Sequence, residues 1–491
     1  MKKKVVVIGA GFAGLSSAAH LSKKGFDVTL VEKHNQTGGR AREFKNAGFT
    51  FDMGPSWYWM PDVFEKYYQN FGHTTEDFYD LKRLSPSYRV YFGENDAVDL
   101  PSSRADLLQM FEDREKGAGK KLDKFLDEAA YKYEVGINKL VYKPSKSLFE
   151  FTDPRFLYGL LKMDVFKSLR SQVRRLFKDP HLIKILEFPV LFLGAMPDKI
   201  PALYSLMNYA DMGLGTWYPM GGMHQIAKAM TKVAEEQGVE IQLNNPVEGF
   251  SYSGRGVGSV LTKNREIKAD AVVAGADYHH VDQHLVDKKY RNYNEKYWDS
   301  RTMAPSSLLF YLGVDKKVSN LLHHNLFFDS DFEQHAKEIY ENPKWPQNPL
   351  FYVCAPSKTD PGTAPEGKEN IFILIPTAPG LGGDDEQTRE KYYDLVMDRL
   401  EKLTGQKIKD HVIYKLSYAE SNFKEDYSAF KGNAYGLANT LMQTAILKPS
   451  IANKKLKNLF YTGQLTVPGP GVPPSIISGQ VAANEINKLF N

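Results

Sequence analysis

Val5-Val6-Val7-Ile8 runs directly into Gly9-Ala10-Gly11-Phe12-Ala13-Gly14, and Val31-Glu32-Lys33 follows one helix and one strand later. The β-branched run makes a buried parallel strand. Gly9 lets the chain turn sharply, Gly11 lets backbone approach a pyrophosphate, and Gly14 lets the next helix pack tightly on the strand. The N–H groups and dipole of that helix's first turn then face the phosphates. Glu32 lies 23 positions after Gly9, at the end of the second strand. A carboxylate there can accept both ribose hydroxyls and repels a 2′-phosphate, so NADP is disfavoured. Strand, helix, second strand and acid fall in register, and together they predict a dinucleotide site.

Working outward, Gly38-Gly39-Arg40 follows Glu32 closely, and Phe51-Asp52-Met53-Gly54-Pro55-Ser56 comes next. Glycines beside an arginine suit a second approach to the pyrophosphate, with the guanidinium neutralising phosphate charge through paired donors. At the other end of the chain, Phe460-Tyr461-Thr462-Gly463-Gln464 makes a strand and turn. The loop through Gly471-Val472-Pro473-Pro474-Ser475 then leads into a closing helix. Gly463 permits close backbone approach, and the N-terminus of the closing helix presents its positive end to whatever lies beside it.

Composition sets the bounds. At 491 residues, with 42% apolar and 25% charged, the chain reads as an ordinary globular protein of two or three domains. Net charge is +4, which leaves no nucleic-acid footprint. The single cysteine, Cys354, excludes an intramolecular disulfide and fits a reducing compartment. Met1-Lys2-Lys3-Lys4 before an apolar run mimics a signal peptide, but the glycines behind it belong to the nucleotide fingerprint, so a cytoplasmic location is expected. The longest apolar runs, Phe188 to Met196 among them, are too short to span a bilayer.

The expected organisation is discontinuous. Residues 1–70, 215–290 and 455–491 are assigned to the nucleotide domain, 71–103 and 291–454 to a substrate domain, and 104–214 to a helical cap. Residues 79–100 read as a short antiparallel meander, and 295–420 as isolated strands (306–314, 371–376, 411–416) between long loops. Gly254, Gly256 and Gly258 mimic a second glycine-rich loop but join two strands and read as a hairpin. With one nucleotide module, a nicotinamide donor has no seat of its own. His280 and His284 are four apart on a probable helix after Asp277, but no third ligand accompanies them, so no metal is expected.

The acid followed by Gly-Gly-Arg resembles the flavoprotein amine-oxidase and carotenoid-desaturase superfamily, and that resemblance favours FAD over NAD. Seven segments together resemble the bacterial-type phytoene desaturases. They are GAGFAG from Gly9, GGRAR from Gly38, FDMGPSWYWMPDVFE from Phe51, TWYPMGGM from Thr216, AVVAGADYHH from Ala271, AYGLANTLMQTAILKPS from Ala434 and YTGQLTVPGPGVPPSIISG from Tyr461. They run through almost the whole chain. The resemblance implies an α/β fold: a Rossmann-like FAD domain built from discontinuous segments, a mixed-sheet substrate domain and a helical, membrane-facing cap. By position it implies that Gly9, Gly11, Ala13, Gly14, Glu32, Lys33, Gly39 and Arg40 hold the dinucleotide part of FAD. Val247 is implied at the adenine, Gly54, Pro55 and Ser56 near the ring, and Gly463, Gln464, Gly471 and Val472 along the ribityl chain and flavin. Many superfamily members carry an acid where this chain has Gln464.

The implied activity is desaturation of an acyclic C40 carotenoid, phytoene towards lycopene, by hydride transfer to flavin N5 and loss of a proton. Conjugation delocalises the allylic cation, and an aromatic channel favours that charge. Trp57, Tyr58 and Trp59 are the candidate wall, with aromatic core packing as the alternative. No proton acceptor is singled out by spacing. The partners expected are a lipophilic polyene, quinone or oxygen as electron acceptor, and a membrane surface on the cytoplasmic side. A basic amphipathic stretch at 165–178 is the candidate contact, with Val165, Phe166, Leu169, Val173, Leu176 and Phe177 on one side and Lys167, Arg170, Arg174, Arg175 and Lys178 on the other, and packing of a cap helix is the alternative. The rival readings are a desaturase or isomerase of a later carotenoid, a flavin amine oxidase, and a non-enzymatic lipid-binding chaperone on the same fold.

Overall fold

The computed structural model describes residues 2–147, 150, 167–189, 194 and 196–491. The N-terminal run lies at the centre of a five-stranded parallel sheet. In spatial order the strands are Leu459–Tyr461, Ala271–Ala274, Lys4–Ile8, Asp27–Val31 and Glu240–Gln242. Val5, Val6, Val7 and Ile8 are all buried, as a parallel strand covered on both faces requires. The chain must return twice from distant sequence to complete this sheet.

Helix Phe12–Lys23 is buried from Phe12 to Leu21 between helices His224–Glu236 and Val472–Phe490. Glycine sets both close approaches. A Cβ at Gly14 would stand 1.8 Å from the Gly9 carbonyl oxygen, and one at Gly479 would stand 2.3 Å from that of Ala13. The Ser16 hydroxyl donates to the Ile476 carbonyl at 2.7 Å and the Ser17 hydroxyl to that of Gly479 at 3.0 Å, stitching first helix to last.

The second layer corrects the reading of 295–420 as isolated strands. Seven strands form one mixed sheet, in the order Val412–Tyr418, Ser306–Val314, Glu369–Thr377, Phe351–Cys354, His324–Phe327, Tyr88–Gly93 and Asp96–Leu100. Every pairing is antiparallel except that of His324–Phe327 with Tyr88–Gly93. Its period-2 faces are both apolar. Leu308, Phe310, Ile371 and Ile373 pack with Tyr392, Val396 and Leu400 of helix Glu386–Thr404, while Leu309, Tyr311, Phe372 and Leu374 face the opposite side. Burial on both faces erases the alternation that marks a half-exposed strand, which is why Phe351–Cys354 and His324–Phe327 escaped notice.

The supposed meander at 79–100 is also corrected. Tyr88–Gly93 and Asp96–Leu100 form a hairpin, but Leu81–Arg83 pairs with Trp217–Pro219 instead. Val247–Ser253 and Gly256–Thr262 form the expected antiparallel hairpin around Gly254.

Between the two sheets' sequence segments lie helices Arg104–Arg114, Ala118–Val135, Leu169–Leu176 and Pro180–Glu187. The stretch expected to offer a greasy face to lipid uses it otherwise. Leu169, Val173 and Phe177 are each fully buried in the core, and Arg174 is held by Glu187 at 3.0 Å. Val165 and Phe166 lie outside the described residues. Among the described residues no helix is long and apolar enough to cross a membrane.

Candidate functional site

A cavity of about 860 Å³ opens at the carboxyl ends of the parallel strands, against Ile8, Val31 and Thr462, and continues between the mixed sheet and the helical cap. That is where open α/β sheets bind ligands. Its first part is a cradle of backbone. Gly9 takes φ +92°, and a Cβ there would come within 3.2 Å of the Ala276 amide nitrogen. The Gly38–Gly39 turn approaches so closely that a Cβ on Gly39 would stand 3.1 Å from the Gly11 Cα. Gly11, Phe12 and Ala13 line the cavity, and the helix they begin has no side-chain cap, leaving first-turn N–H groups directed at it. Gly14 does not line the cavity; its role is the contact with Gly9 described above.

Glu32 stands at the cavity wall with its carboxylate fixed by two backbone donors, Ala10 N–H at 2.7 Å and His34 N–H at 2.9 Å. Lys33 lines the same end, its amine donating to the Glu425 carbonyl at 2.9 Å, and burial lowers its pKa. Val247, with Asn245 and Pro246, closes the far side.

Arg40 brings a guanidinium to the cavity beside the Gly38–Gly39 turn. Burial lowers its pKa, opposed by nearby Asp277 and Tyr427. Its guanidinium lies 4.9 Å over the Tyr427 ring, and its Nε has no hydrogen-bond partner among the described residues. With its amide oxygen facing that guanidinium, Gln464 accepts from it at 3.0 Å. The side chain that departs from an acid at this position is thus a direct partner of Arg40. Burial pushes the Asp277 carboxyl up to about 6, with the His280 N–H and Arg40 pulling it down.

Gly54, Pro55 and Ser56 line the middle of the cavity, and a Cβ on Gly54 would stand 2.7 Å from the Arg40 carbonyl oxygen. Trp57 and Trp59 line it too, with ring centroids 5.1 Å apart. Tyr58 does not. Successive residues of an extended segment point to opposite sides, so Tyr58 is buried in the core, stacked on Phe64 at 4.3 Å with its hydroxyl 3.0 Å from that of Tyr79. Gly463, at φ +102°, donates its N–H to the Ser478 hydroxyl at 3.0 Å. Gly471, at φ +112°, turns the chain into helix Val472–Phe490, whose first turn holds Pro473 and Pro474 and faces the cavity. From here an apolar arm runs past Leu309, Phe372 and Leu374 to Ile137, Leu140 and Met207 of the cap.

Further groups, most of them given no role from the sequence, stand at the site. Tyr352 and Tyr435 line the arm, and Lys448 is buried behind Gly469, its amine donating to Asn439 at 2.7 Å. His280 lines the cavity with its ring 5.5 Å from that of His284. His323, His324 and Cys354 bring one ligand-type atom each within 4.8 Å of one another in the core, and burial pushes the Cys354 thiol up to about 12.

The backbone cradle that side chains would fill, the orphaned Arg40 Nε and the open helix N-terminus all suit a flavin dinucleotide. The chain matches the family of flavin containing amine oxidoreductases over residues 12–487. It is 39% identical over 483 residues to the carotenoid 3,4-desaturase of Haloarcula japonica, covering 98% of this chain and 97% of that one. It is 31% identical to the zeta-carotene-forming phytoene desaturase of Myxococcus xanthus, over 99% of this chain and 94% of the other. This chain belongs to the carotenoid desaturases of that family.

The carotenoid desaturase is an FAD-dependent oxidoreductase. Solved structures share its fold: an oxidoreductase from Methanosarcina mazei aligns with TM-score 0.63 at 16% identity, covering 97% and 98% of the two chains. A putrescine oxidase aligns with TM-score 0.63 at 13% identity, covering 99% of each.

Proposed function

We propose that this carotenoid desaturase dehydrogenates an acyclic C40 carotenoid, phytoene towards lycopene, in carotenoid biosynthesis. One observation carries the reading: the dinucleotide cradle continues without a break into an apolar, aromatic-walled arm of the same cavity. FAD, when bound, supplies the acceptor for two electrons and a hydrogen. The chain's own residues do the rest. Leu309, Phe372 and Leu374 hold an apolar chain out of water, and the faces of Trp57 and Trp59 favour positive charge spread along a polyene. Quinone or oxygen is the proposed terminal acceptor.

Peripheral attachment to the cytoplasmic face of a membrane belongs to the same reading, because the substrate dissolves only in lipid. The apolar side of Leu169–Leu176 is committed to the core, so the proposed contact moves to the segment beside the cavity lining at Thr444, Ala445 and Ile446. There Leu441, Met442 and Leu447 are exposed, Met442 by 70%.

The test is anaerobic incubation of FAD-loaded protein with phytoene in liposomes and a quinone. The expected result is a coloured polyene whose spectrum reports the number of new double bonds. The 39% identity to a carotenoid 3,4-desaturase favours a second reading, action on a later carotenoid. Flavin bleaching by such a carotenoid but not by phytoene selects it.

A further inference from the structure

We propose that His323, His324 and Cys354 form a buried site for a zinc-class divalent ion, independent of the flavin and of the desaturation reading. The antiparallel register sets Cys354 directly opposite His324, in strands Phe351–Cys354 and His324–Phe327, and His323 stands just before the second strand. One ring nitrogen of each histidine and the Cys354 sulfur lie within 4.8 Å of one another, and all three residues are buried. Imidazole nitrogen and thiolate sulfur are the donors that zinc takes in tetrahedral sites. Cys354 follows His324 by 30 positions, a gap that hid the third ligand from spacing. As the only cysteine of the chain, it has no disulfide to form within it.

Hydrogen bonding leaves one nitrogen of each ring for a metal. Nδ1 of His323 lies 2.8 Å from the Thr359 hydroxyl, and Nδ1 of His324 lies 2.6 Å from the Tyr352 hydroxyl. The Tyr352 hydroxyl donates its own proton to Ser56 Oγ at 3.0 Å, so it accepts from His324 Nδ1–H. That tautomer puts the His324 lone pair on Nε2. Nε2 of both histidines has no hydrogen-bond partner among the described residues. A buried polar atom without a partner costs stability, and two of them, on rings 4.4 Å apart beside a thiol, are what a metal ion satisfies. Metal-binding histidines give their other ring N–H to an oxygen, the part that Thr359 and Tyr352 play here. Trp57, stacked on His324 at 4.1 Å and 10°, fixes the plane of that ring.

Room and charge fit as well. A cavity of about 20 Å³ borders His323 and Cys354, large enough for one water as a fourth ligand. Asp52 lines the same cavity, its carboxylate oxygens accepting from the Met223 N–H at 2.8 Å and the His224 N–H at 3.0 Å. A dication, the Cys354 thiolate and the Asp52 carboxylate sum to zero, so no net charge is buried. Binding displaces the thiol proton to solvent water. The ion clips the two short strands together beside the flavin cavity, where Gly54, Ser56 and Phe372 line both spaces.

The experiment uses tag-free, flavin-loaded protein from cells grown with zinc, or with cobalt in its place. Elemental analysis should find about one ion per chain. The cobalt form should show d–d bands of tetrahedral intensity at longer wavelength than the flavin, with a thiolate-to-cobalt charge-transfer band. Cys354→Ser, at unchanged flavin content, should lose the charge-transfer band. Tyr352→Phe and Thr359→Val should keep the bands but release the ion to a competing chelator at roughly 10- to 100-fold lower concentration. The melting midpoint of wild type should fall when the metal is removed and recover with zinc.

Wild type that carries no metal from either medium overturns the site. Cobalt bands that survive unchanged in Cys354→Ser overturn it too, since the ion would then lie elsewhere on the chain. If Cys354→Ser loses its flavin, the chelator series decides, and retention equal to wild type in both Tyr352→Phe and Thr359→Val overturns the proposal. A protein that holds the ion and yet oxidises no carotenoid leaves the site standing and removes only the desaturation reading.

Discussion

Arg40 concentrates the electrostatics of the nucleotide end: a buried guanidinium over Tyr427, near Asp277, bonded to Gln464, with Nε unused. A phosphate of bound FAD would supply the missing acceptor, and charge-assisted bonds of this kind are among the stronger ones. Arg40→Met should therefore weaken FAD retention by roughly 10- to 100-fold, measured by flavin titration, on a scale of about 1.5–3 kcal/mol. Unchanged affinity would remove Arg40 from the phosphate site. Lys448 makes a separate prediction. Burial pushes its amine down to about 7, whereas the unfolded chain keeps its proton to about 10.4. Across that window the unfolded state binds the extra proton, so this group makes stability rise with pH from 7 upward. Lys448→Met should abolish that rise and stabilise the protein most at or below pH 7, read as the difference in unfolding midpoint between the two proteins. Parallel pH curves would show that Lys448 is charged in the fold. The glycine roles at 9, 11 and 14 were legible from residue order, because a positive φ or a missing Cβ is a local demand. Tyr427 and Lys448 carried no such mark: Tyr427 meets Arg40 from nearly four hundred positions away, and Lys448 draws its character from burial beside Asn439 and Gly469.

At the scale of elements, the joint between helices Phe12–Lys23 and Val472–Phe490 holds the two ends of the chain and both helix N-termini at the cavity. Gly479 makes that joint possible, since a Cβ would stand 2.3 Å from the Ala13 carbonyl oxygen and 2.7 Å from the Ser16 side chain. Gly479→Leu should push the helices apart, costing at least about 2–3 kcal/mol and releasing FAD. A thermal melt and the flavin content of purified protein check both effects, and a normal melt with full flavin would contradict the packing argument. Element type was readable in the first βαβ unit, where β-branched runs and glycine turns mark each boundary although both faces of its elements are buried. In the mixed sheet the long runs at 306–314 and 371–376 read as strands, whereas the four-residue Phe351–Cys354 and His324–Phe327, buried along their whole length, carried too short a pattern to read. The stretch at 165–178 shows the converse error. Its amphipathic pattern was read correctly, but a helix's apolar face is the same whether lipid or a protein core covers it.

For the molecule as a whole, the proposed attachment to lipid sits at Leu441, Met442 and Leu447 beside the cavity, away from the buried face of Leu169–Leu176. Leu441→Asp with Met442→Asp should reduce liposome co-sedimentation at least about 10-fold, since burying each such side chain contributes roughly 1.5–3 kcal/mol. Arg174→Glu with Arg175→Glu should have the smaller effect, because Arg174 is already held by Glu187. If the second pair proved the more damaging, attachment would be electrostatic and the 441–447 segment would lose its role.

Residue order alone marked the opening strand, the glycine turn and the helix that form the backbone cradle. Turn geometry, helix N-termini and β-branched runs act over a few positions, and Glu32 and Arg40 stand at short, fixed distances from them. Only the folded chain could show that Gln464 meets Arg40 and that Tyr58 leaves the wall its two tryptophan neighbours form. Those contacts join residues up to several hundred positions apart, and hydrogen bonds and burial over such separations leave no periodic trace in the order of the residues.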